Sequence, residues 1–316
     1  MNGEHGVTMK ACRIHRYGGP EVIDVEDAPL PEPGPGQVRV RVRASGVGPW
    51  DAWIRSGKSA MPQPLPLTLG VDVAGEVEVL GEGVANFQIG ERVFGATNAR
   101  FTGANAEYAI ALASKLAPKP ERVSFVEAAA VPVVAVTAWQ ALFEEAKLAP
   151  GASVLIHGAA GSVGAFAVQL ARRAQFRVLA TARAADIAFV RSLGASDAIA
   201  YETDRFEDRA RGVDAVIDLV GGDTQRRSFE VLKPGGVLVS AVSEPDREAA
   251  ARSRVRAGFF LVDVTTDRLM RIADLLADGA LSVVVGATLP LASVREAHEM
   301  LDGGRRKPRG KIVLTA

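Results

Sequence analysis

The stretch Ala152–Gln169, ASVLIHGAAGSVGAFAVQ, decides the fold. A short apolar run reads as a buried strand, a turn of small residues follows, and the pattern then becomes that of an amphipathic helix. Gly158, Gly161 and Gly164 punctuate the turn. A pyrophosphate needs backbone N–H groups at a helix N-terminus, where the helix dipole and the unsatisfied donors favour negative charge. Gly158, Ala159, Ala160 and Gly161 keep that backbone accessible, Ser162 and Val163 open the helix, and Gly164 lets the helix approach the sheet. Glycines alone can serve a tight strand–helix turn with no ligand. The βαβ setting is what turns the reading towards a dinucleotide.

Outward from this motif, short apolar strands alternate with amphipathic helices, the pattern of a parallel sheet. Strands are expected at Ser153–His157, Arg177–Ala182, Ala198–Tyr201, Ala215–Leu219, Val237–Val242 and Phe259–Val262. The helices expected between them are Ser162–Ala174, Ala185–Leu193, Thr224–Leu232 and Thr266–Ala277. The first third is different. Val38, Val40 and Val42 alternate with Arg39, Arg41 and Arg43, the period of a half-buried strand, and PLPEPGPG at Pro29–Gly36 is a rigid turn. Further strand-like segments run over Val71–Leu80 and Glu91–Phe94, so this part reads as a small β-barrel. The tail holds a helix, Leu291–Leu301, and a strand, Gly310–Leu314, that returns to the first domain. The fold class is α/β: a Rossmann doubly wound parallel sheet over 132–282, and a β-barrel domain from 9–131 and 283–316.

At 316 residues the chain suits two hydrophobic cores better than one. Lys plus Arg and Asp plus Glu both number 37, so no net field gathers nucleic acid or an anionic membrane. No run approaches the ~20 apolar residues that span a bilayer. Met1–Thr8 is polar, lacks the apolar core of a signal peptide and reads as a leader, with Met9 as an alternative natural start. The lone Cys12 excludes an internal disulfide and fits a reducing, cytoplasmic setting. The partner implied is a small molecule.

Coenzyme choice is read at the end of the second strand, where an NAD enzyme offers Asp or Glu to the ribose 2′-hydroxyl. Here the chain reads Leu179-Ala180-Thr181-Ala182-Arg183. Thr181 is small and neutral, and Arg183 is a permanent cation able to hold a 2′-phosphate, which favours NADPH. Asp186, the nearby acid, reads as the first turn of the next helix; Arg183 can also be read as a solvated loop residue.

Several stretches together resemble the medium-chain dehydrogenase/reductase family, in its quinone oxidoreductase and enone reductase branch. They are Gly46–Asp51 (GVGPWD) with Ile54–Gly57, Gly70–Gly75 (GVDVAG), Gly90–Val93, Val136–Trp139, the glycine turn, Ser192–Ala195, Leu232–Gly236 and Gly310–Leu314. The resemblance runs from Met9 to the C-terminus and implies a GroES-like barrel domain around a Rossmann domain. It also implies that Tyr201 lies near the adenosine phosphate, though Tyr201 can equally be read as an ordinary strand-end tyrosine, and that Val220, Ala241 and Phe260 complete the coenzyme contacts. Zinc-dependent relatives carry a cysteine ligand where this chain has Gly48 and a His-Glu pair where it has Val71-Asp72, so no metal is expected. Quinone reductases of the family usually carry Asn at position 48 and Tyr at position 53, and some hold the 2′-phosphate with a lysine near 186. This chain has Gly48, Trp53 and Asp186.

Without a Lewis acid, alcohol oxidation is disfavoured and hydride reduction of a quinone or an α,β-unsaturated carbonyl is favoured. The family places substrate between the domains, near Pro49, Trp50, Asp51 and Trp53. Trp50 and Trp53 can form an apolar slot, or one of them, Trp53 before Trp50, can pack in the barrel core. Asp51 is expected to position backbone and the Arg55 side chain. An indole N–H from Trp50 or Trp53, the Thr137 hydroxyl, backbone N–H groups or the coenzyme's ribose 2′-hydroxyl can donate to the developing enolate oxygen. His157 and Cys12 read as core residues. A homodimer paired through the edge strand near Phe259–Val262 is expected. Two other functions stay open: an NADPH-binding redox sensor or crystallin-like protein with little turnover, and an enoyl reductase acting in trans.

Overall fold

The computed structural model describes residues 7–59, 61, 63–306 and 308–316. The chain divides into two compact units, one holding residues up to Val133 and from Val264 onward, the other Val134–Asp263. Along it run strands β1 (Thr8–Ile14), β2 (Ile23–Pro29), β3 (Gln37–Val47), β4 (Leu67–Thr68), β5 (Asp72–Leu80), β6 (Arg92–Ala96), β7 (Tyr108–Leu112) and β8 (Leu116–Pro118). Then come β9 (Ser153–Ile156), β10 (Arg177–Ala182), β11 (Asp197–Ala200), β12 (Val213–Asp218), β13 (Leu232–Ser240) and β14 (Arg256–Phe259), and finally β15 (Val285–Pro290) and β16 (Lys311–Thr315). Of the polar leader, residues 1–6 lie outside the described residues, and Thr8 already pairs with Pro29 in β1.

The first unit is organised by β3. Val38, Val40 and Val42 are buried and Arg41 and Arg43 exposed, as the alternation predicts. Arg39 is buried as well, because Glu32 and Glu78 each pair with its guanidinium at 2.7 Å. One edge of β3 pairs with β5; the other pairs first with β7 and then with β16, so the C-terminal strand completes this sheet. β2, β1 and β4 form a second, three-stranded sheet. Cys12, Ile14, Ile23, Val47, Leu69, Ile312 and Leu314 pack between them in one core. Burial pushes the Cys12 thiol up to about 12, so it is an inert apolar residue. The helix Thr266–Ala277, grouped by its sequence with the Rossmann segment, belongs to this unit: the Thr266 hydroxyl donates to the Leu116 carbonyl at 2.7 Å, and Lys115 Nζ to the Val264 carbonyl at 3.0 Å.

The second unit is a six-stranded parallel sheet in the order β11-β10-β9-β12-β13-β14. The helices Ser162–Arg173 and Ile187–Leu193 follow β9 and β10 as expected. Two expectations are corrected. The segment read as one helix from Thr224 is a short α-helix, Gly222–Arg227, tightening into a 3-10 turn over Ser228–Val231, after which β13 begins already at Leu232. The outer strand is Arg256–Phe259 and not Phe259–Val262: Arg256 to Phe259 pair with Val237 to Ser240, and the apolar residues from Phe260 onward fall where the chain leaves the sheet.

Candidate functional site

The residues expected to hold the coenzyme gather at the carboxyl edge of the parallel sheet. Gly158 follows β9, Thr181 and Arg183 lie at the end of β10, Tyr201 follows β11, Val220 follows β12, Ala241 follows β13 and Phe260 follows β14. The strand order changes direction between β9 and β12, the place where open α/β sheets form a crevice.

The glycine turn fits a dinucleotide. Gly158 has φ +67°, a conformation that side-chain-bearing residues rarely adopt. A Cβ at Gly164 would stand 2.3 Å from the Gly158 carbonyl oxygen and 2.6 Å from Ala159 Cα, so only glycine lets the helix begin this close to the strand. The N-cap is Gly161, which has no side chain to offer the first-turn N–H groups, including those of Ser162, Val163 and Gly164. Ala160 and Gly161 are partly open to solvent while Ala159 is buried. Uncapped donors at the start of a twelve-residue helix suit a diphosphate.

Behind the turn lies a polar chain invisible in the sequence pattern. His157 Nδ1 is 3.0 Å from Thr181 Oγ1, and Nε2 is 3.0 Å from Ser228 Oγ. The Ser228 hydroxyl donates to the Thr224 carbonyl at 2.6 Å, so its oxygen accepts from Nε2–H and Nδ1 accepts from Thr181. Burial holds His157 down at about 4, consistent with one neutral tautomer and a core role. Thr181 is therefore buried with its proton committed to His157, and is not presented to solvent.

Arg183, by contrast, is 57% exposed, and its Nε–H donates to the buried carboxylate of Asp186 at 2.9 Å. Asp186 ends a 3-10 turn, Ala184–Asp186, ahead of the helix Ile187–Leu193. Tyr201 is exposed beside it; its amide donates to the Ala182 carbonyl. At the other side of the crevice the buried Asp218 accepts from the amides of Val220 (3.0 Å) and Gly221 (2.8 Å), from Gln225 Nε2 (2.9 Å) and from Ser240 Oγ (2.8 Å). That carboxylate fixes the ends of β12 and β13, and leaves the Val220 side chain exposed.

In the first unit, Trp50, Asp51 and Trp53 lie on the short helix Pro49–Arg55. Trp53 is not a core residue: it is 52% exposed. Trp50 is the inward one, edge-on to Phe101 with ring centroids 6.0 Å apart. Its Nε1–H is buried with no acceptor among the described residues, so this donor faces protein and not solvent. A Cβ at Gly48 would stand 2.4 Å from the Trp50 ring; the indole fills the space that a side chain at 48 would take. Asp51 accepts from the amides of Gly48 (2.8 Å) and Gly70 (3.2 Å), and burial pushes it up to about 7 against those bonds. It positions backbone as expected, but Arg55 is not its partner. Arg55 bonds the Gly18 carbonyl, His298 Nδ1 and Asp302.

Sequence reading missed Phe101, Asp72 and Lys311. Phe101 holds φ +63°, an uncommon conformation for an aromatic residue. Lys311 Nζ pairs with Asp72 at 2.7 Å, both buried, and lies 4.1 Å from the Trp50 ring centroid. Burial pushes the Asp72 carboxyl up, opposed by Lys311 and by the Val133 amide that donates to it at 2.9 Å. Thr137 is buried in the helix Pro132–Trp139. Among the described residues no group of three His, Cys, Asp or Glu side chains is placed to hold a metal, and no helix is long and apolar enough to cross a membrane.

Residues 34–121 match the model of the alcohol dehydrogenase GroES-like domain, and 193–314 that of the zinc-binding dehydrogenase family. The quinone oxidoreductase of Mus musculus is 33% identical over 325 residues, covering 97% of each chain. The solved quinone oxidoreductase of Coxiella burnetii superposes with a TM-score of 0.90 at 34% identity, over 98% of this chain and 100% of that one. A mycobacterial protein solved in complex with NADPH gives 0.86 at 30% identity, over 98% and 100%.

Proposed function

Because this chain belongs to the quinone oxidoreductase branch of the medium-chain dehydrogenase/reductase superfamily, an oxidoreductase family, we propose that it reduces quinones or α,β-unsaturated carbonyls with hydride from NADPH, without zinc. The observation that carries the zinc-free reading is at position 48. Where zinc-dependent relatives place a cysteine ligand, this chain has a glycine covered by the Trp50 indole, and Val71 offers no ligand either. A bound nicotinamide would supply the hydride. The residues to hold its diphosphate are Gly158 to Gly164, with the first-turn amides as donors, and Arg183 is the residue to meet a 2′-phosphate. The buried Asp51 and its two amide bonds hold the start of the Trp50 helix in place, which keeps an aromatic wall beside the exposed Trp53 for a flat acceptor.

The test is NADPH oxidation with 9,10-phenanthrenequinone and with a 2-alkenal, in strong chelator and after elemental analysis. Turnover unaffected by chelator, with far less than one zinc per chain, is expected. A stoichiometric zinc whose removal abolishes turnover would overturn the zinc-free reading, and binding of NADPH with no turnover on either acceptor would favour a sensor or structural role.

The assembly we propose is a homodimer in a cytoplasmic setting. β14 is an outer strand of its sheet, paired with β13 on one side, and Leu261 just beyond it is exposed. Light scattering at micromolar concentration is expected to give twice the chain mass of 33.2 kDa, and a monomer mass would refute it.

A further inference from the structure

The adenosine end of the coenzyme site carries a carboxylate that the strand-end rule does not anticipate. That rule looks for an acid on the second strand, here β10, and finds Thr181 and Arg183. The neighbouring strand supplies one instead. β11 lies beside β10 in register, and just beyond its end Glu202 reaches across to the turn that follows β10, where its Oε2 accepts from the Ala184 amide at 2.5 Å. The Ala184 N–H directly follows Arg183, and an amide next to an exposed guanidinium is the kind of donor pair that cradles a phosphate. In this structure the carboxylate holds that amide.

We propose that Glu202 is a coenzyme-specificity residue: its carboxylate takes the Ala184 amide that a 2′-phosphate beside Arg183 would use, and its charge opposes that phosphate, so it limits the preference for NADPH over NADH. The inference rests on the reading of Arg183 as the 2′-phosphate residue. Asp186 does not play the same part, since its carboxylate is buried and bonded to the Arg183 Nε–H, whereas Glu202 is exposed. A 2′-phosphate carries up to two charges, and one unit charge opposed at roughly 4 Å in water already amounts to about fivefold in affinity. Two charges would give about twenty-five-fold in water alone, and salt screening of these exposed groups brings the tightening expected on removing the Glu202 charge to about tenfold. A ligand with a free 2′-hydroxyl is left unchanged.

The experiment is equilibrium titration of wild type, Glu202→Gln and Glu202→Ala with NADPH, NADH, 2′,5′-ADP and 5′-ADP, read by coenzyme fluorescence or calorimetry. Glu202→Gln keeps an oxygen for the Ala184 amide and removes only the charge. It is expected to bind NADPH and 2′,5′-ADP about tenfold more tightly, with NADH and 5′-ADP within about twofold of wild type. Glu202→Ala, which also frees the amide, should gain at least as much. In high salt the gain should shrink, since the charges are exposed. If Glu202 only braces the turn, Ala weakens all four ligands and Gln changes none, and the inference is overturned. It is overturned alone if the wild type binds both coenzymes and the ratio does not move in Glu202→Gln. If the wild type binds none of the four, the nucleotide site itself fails.

Discussion

Lys311→Met is expected to cost about 3–5 kcal/mol of folding stability, the typical loss when one member of a buried ion pair is removed and the other stays charged. Lys311 and Asp72 are 2.7 Å apart, and both are buried. Without the ammonium, Asp72 keeps the Val133 amide as a donor but must carry its charge in the interior or take up a proton. The Trp50 ring, 4.1 Å from Nζ, loses its cation as well. Denaturant midpoints measure the loss. The double variant Asp72→Asn with Lys311→Met should recover most of it, because a neutral amide can still accept from Val133; equal losses in the single and double variants would show that the pair is not the cause.

The pH dependence has a fixed sign. The Asp72 carboxyl is already raised above its ordinary 3.8 in the folded state, and losing Lys311 raises it further. A folded group that binds its proton more tightly than the unfolded one adds stability at low pH and loses it as pH rises. The deficit of Lys311→Met relative to wild type should accordingly be smaller at pH 5 than at pH 8. The reverse order would contradict the assignment.

These two residues show where sequence reading stops. Asp72 and Lys311 both sit in stretches that signalled the family, yet nothing local says that they touch. Their contact depends on β16 returning from the C-terminus to pair with β3, which in turn pairs with β5. The return of that strand was legible from Gly310–Leu314; the side-chain partner it delivers was not. Arg55 illustrates the same limit, since Asp51 lies four residues away on its own helix while its actual partners, His298 and Asp302, come from the last helix and the residue after it.

Local physics was legible where it dominates. The glycine turn could be read because φ at Gly158 and the crowding at Gly164 are dictated within a few residues. The valine–arginine alternation of β3 could be read because one face is buried along its whole length. Sequence alone puts Trp53 ahead of Trp50 as the core residue, and the structure reverses that order, because which of two indoles turns inward depends on Gly48 leaving room for Trp50, a fact of three-dimensional space. Apolarity places the outer strand at Phe259–Val262, whereas the backbone pairing of β14 ends at Phe259 and leaves the following apolar residues outside the sheet.

Arg183→Ala is expected to lower kcat/KM for NADPH about ten- to hundredfold and to leave NADH nearly unchanged, from about 1.5–3 kcal/mol for a charge-assisted hydrogen bond and 1.4 kcal/mol per tenfold. The structure sharpens this. Asp186 accepts from the Arg183 Nε–H at 2.9 Å, and the arginine side chain stays largely exposed. Its 57% exposure places the effect towards the tenfold end, because water competes for the same bonds. Arg183→Lys, which keeps the charge and loses the planar fork, should fall between wild type and alanine. Thr181→Asp, the switch towards NADH that the sequence invites, is a poorer probe: Thr181 is buried against His157, so a carboxylate there meets the imidazole before any ribose, and stability should fall before preference changes. Steady-state kinetics of the three variants with both coenzymes decide the matter. Equal losses for NADPH and NADH in Arg183→Ala would mean that the arginine serves the turn and not the phosphate, and a wild type that prefers NADH would mean that the carboxylates around it outweigh its charge.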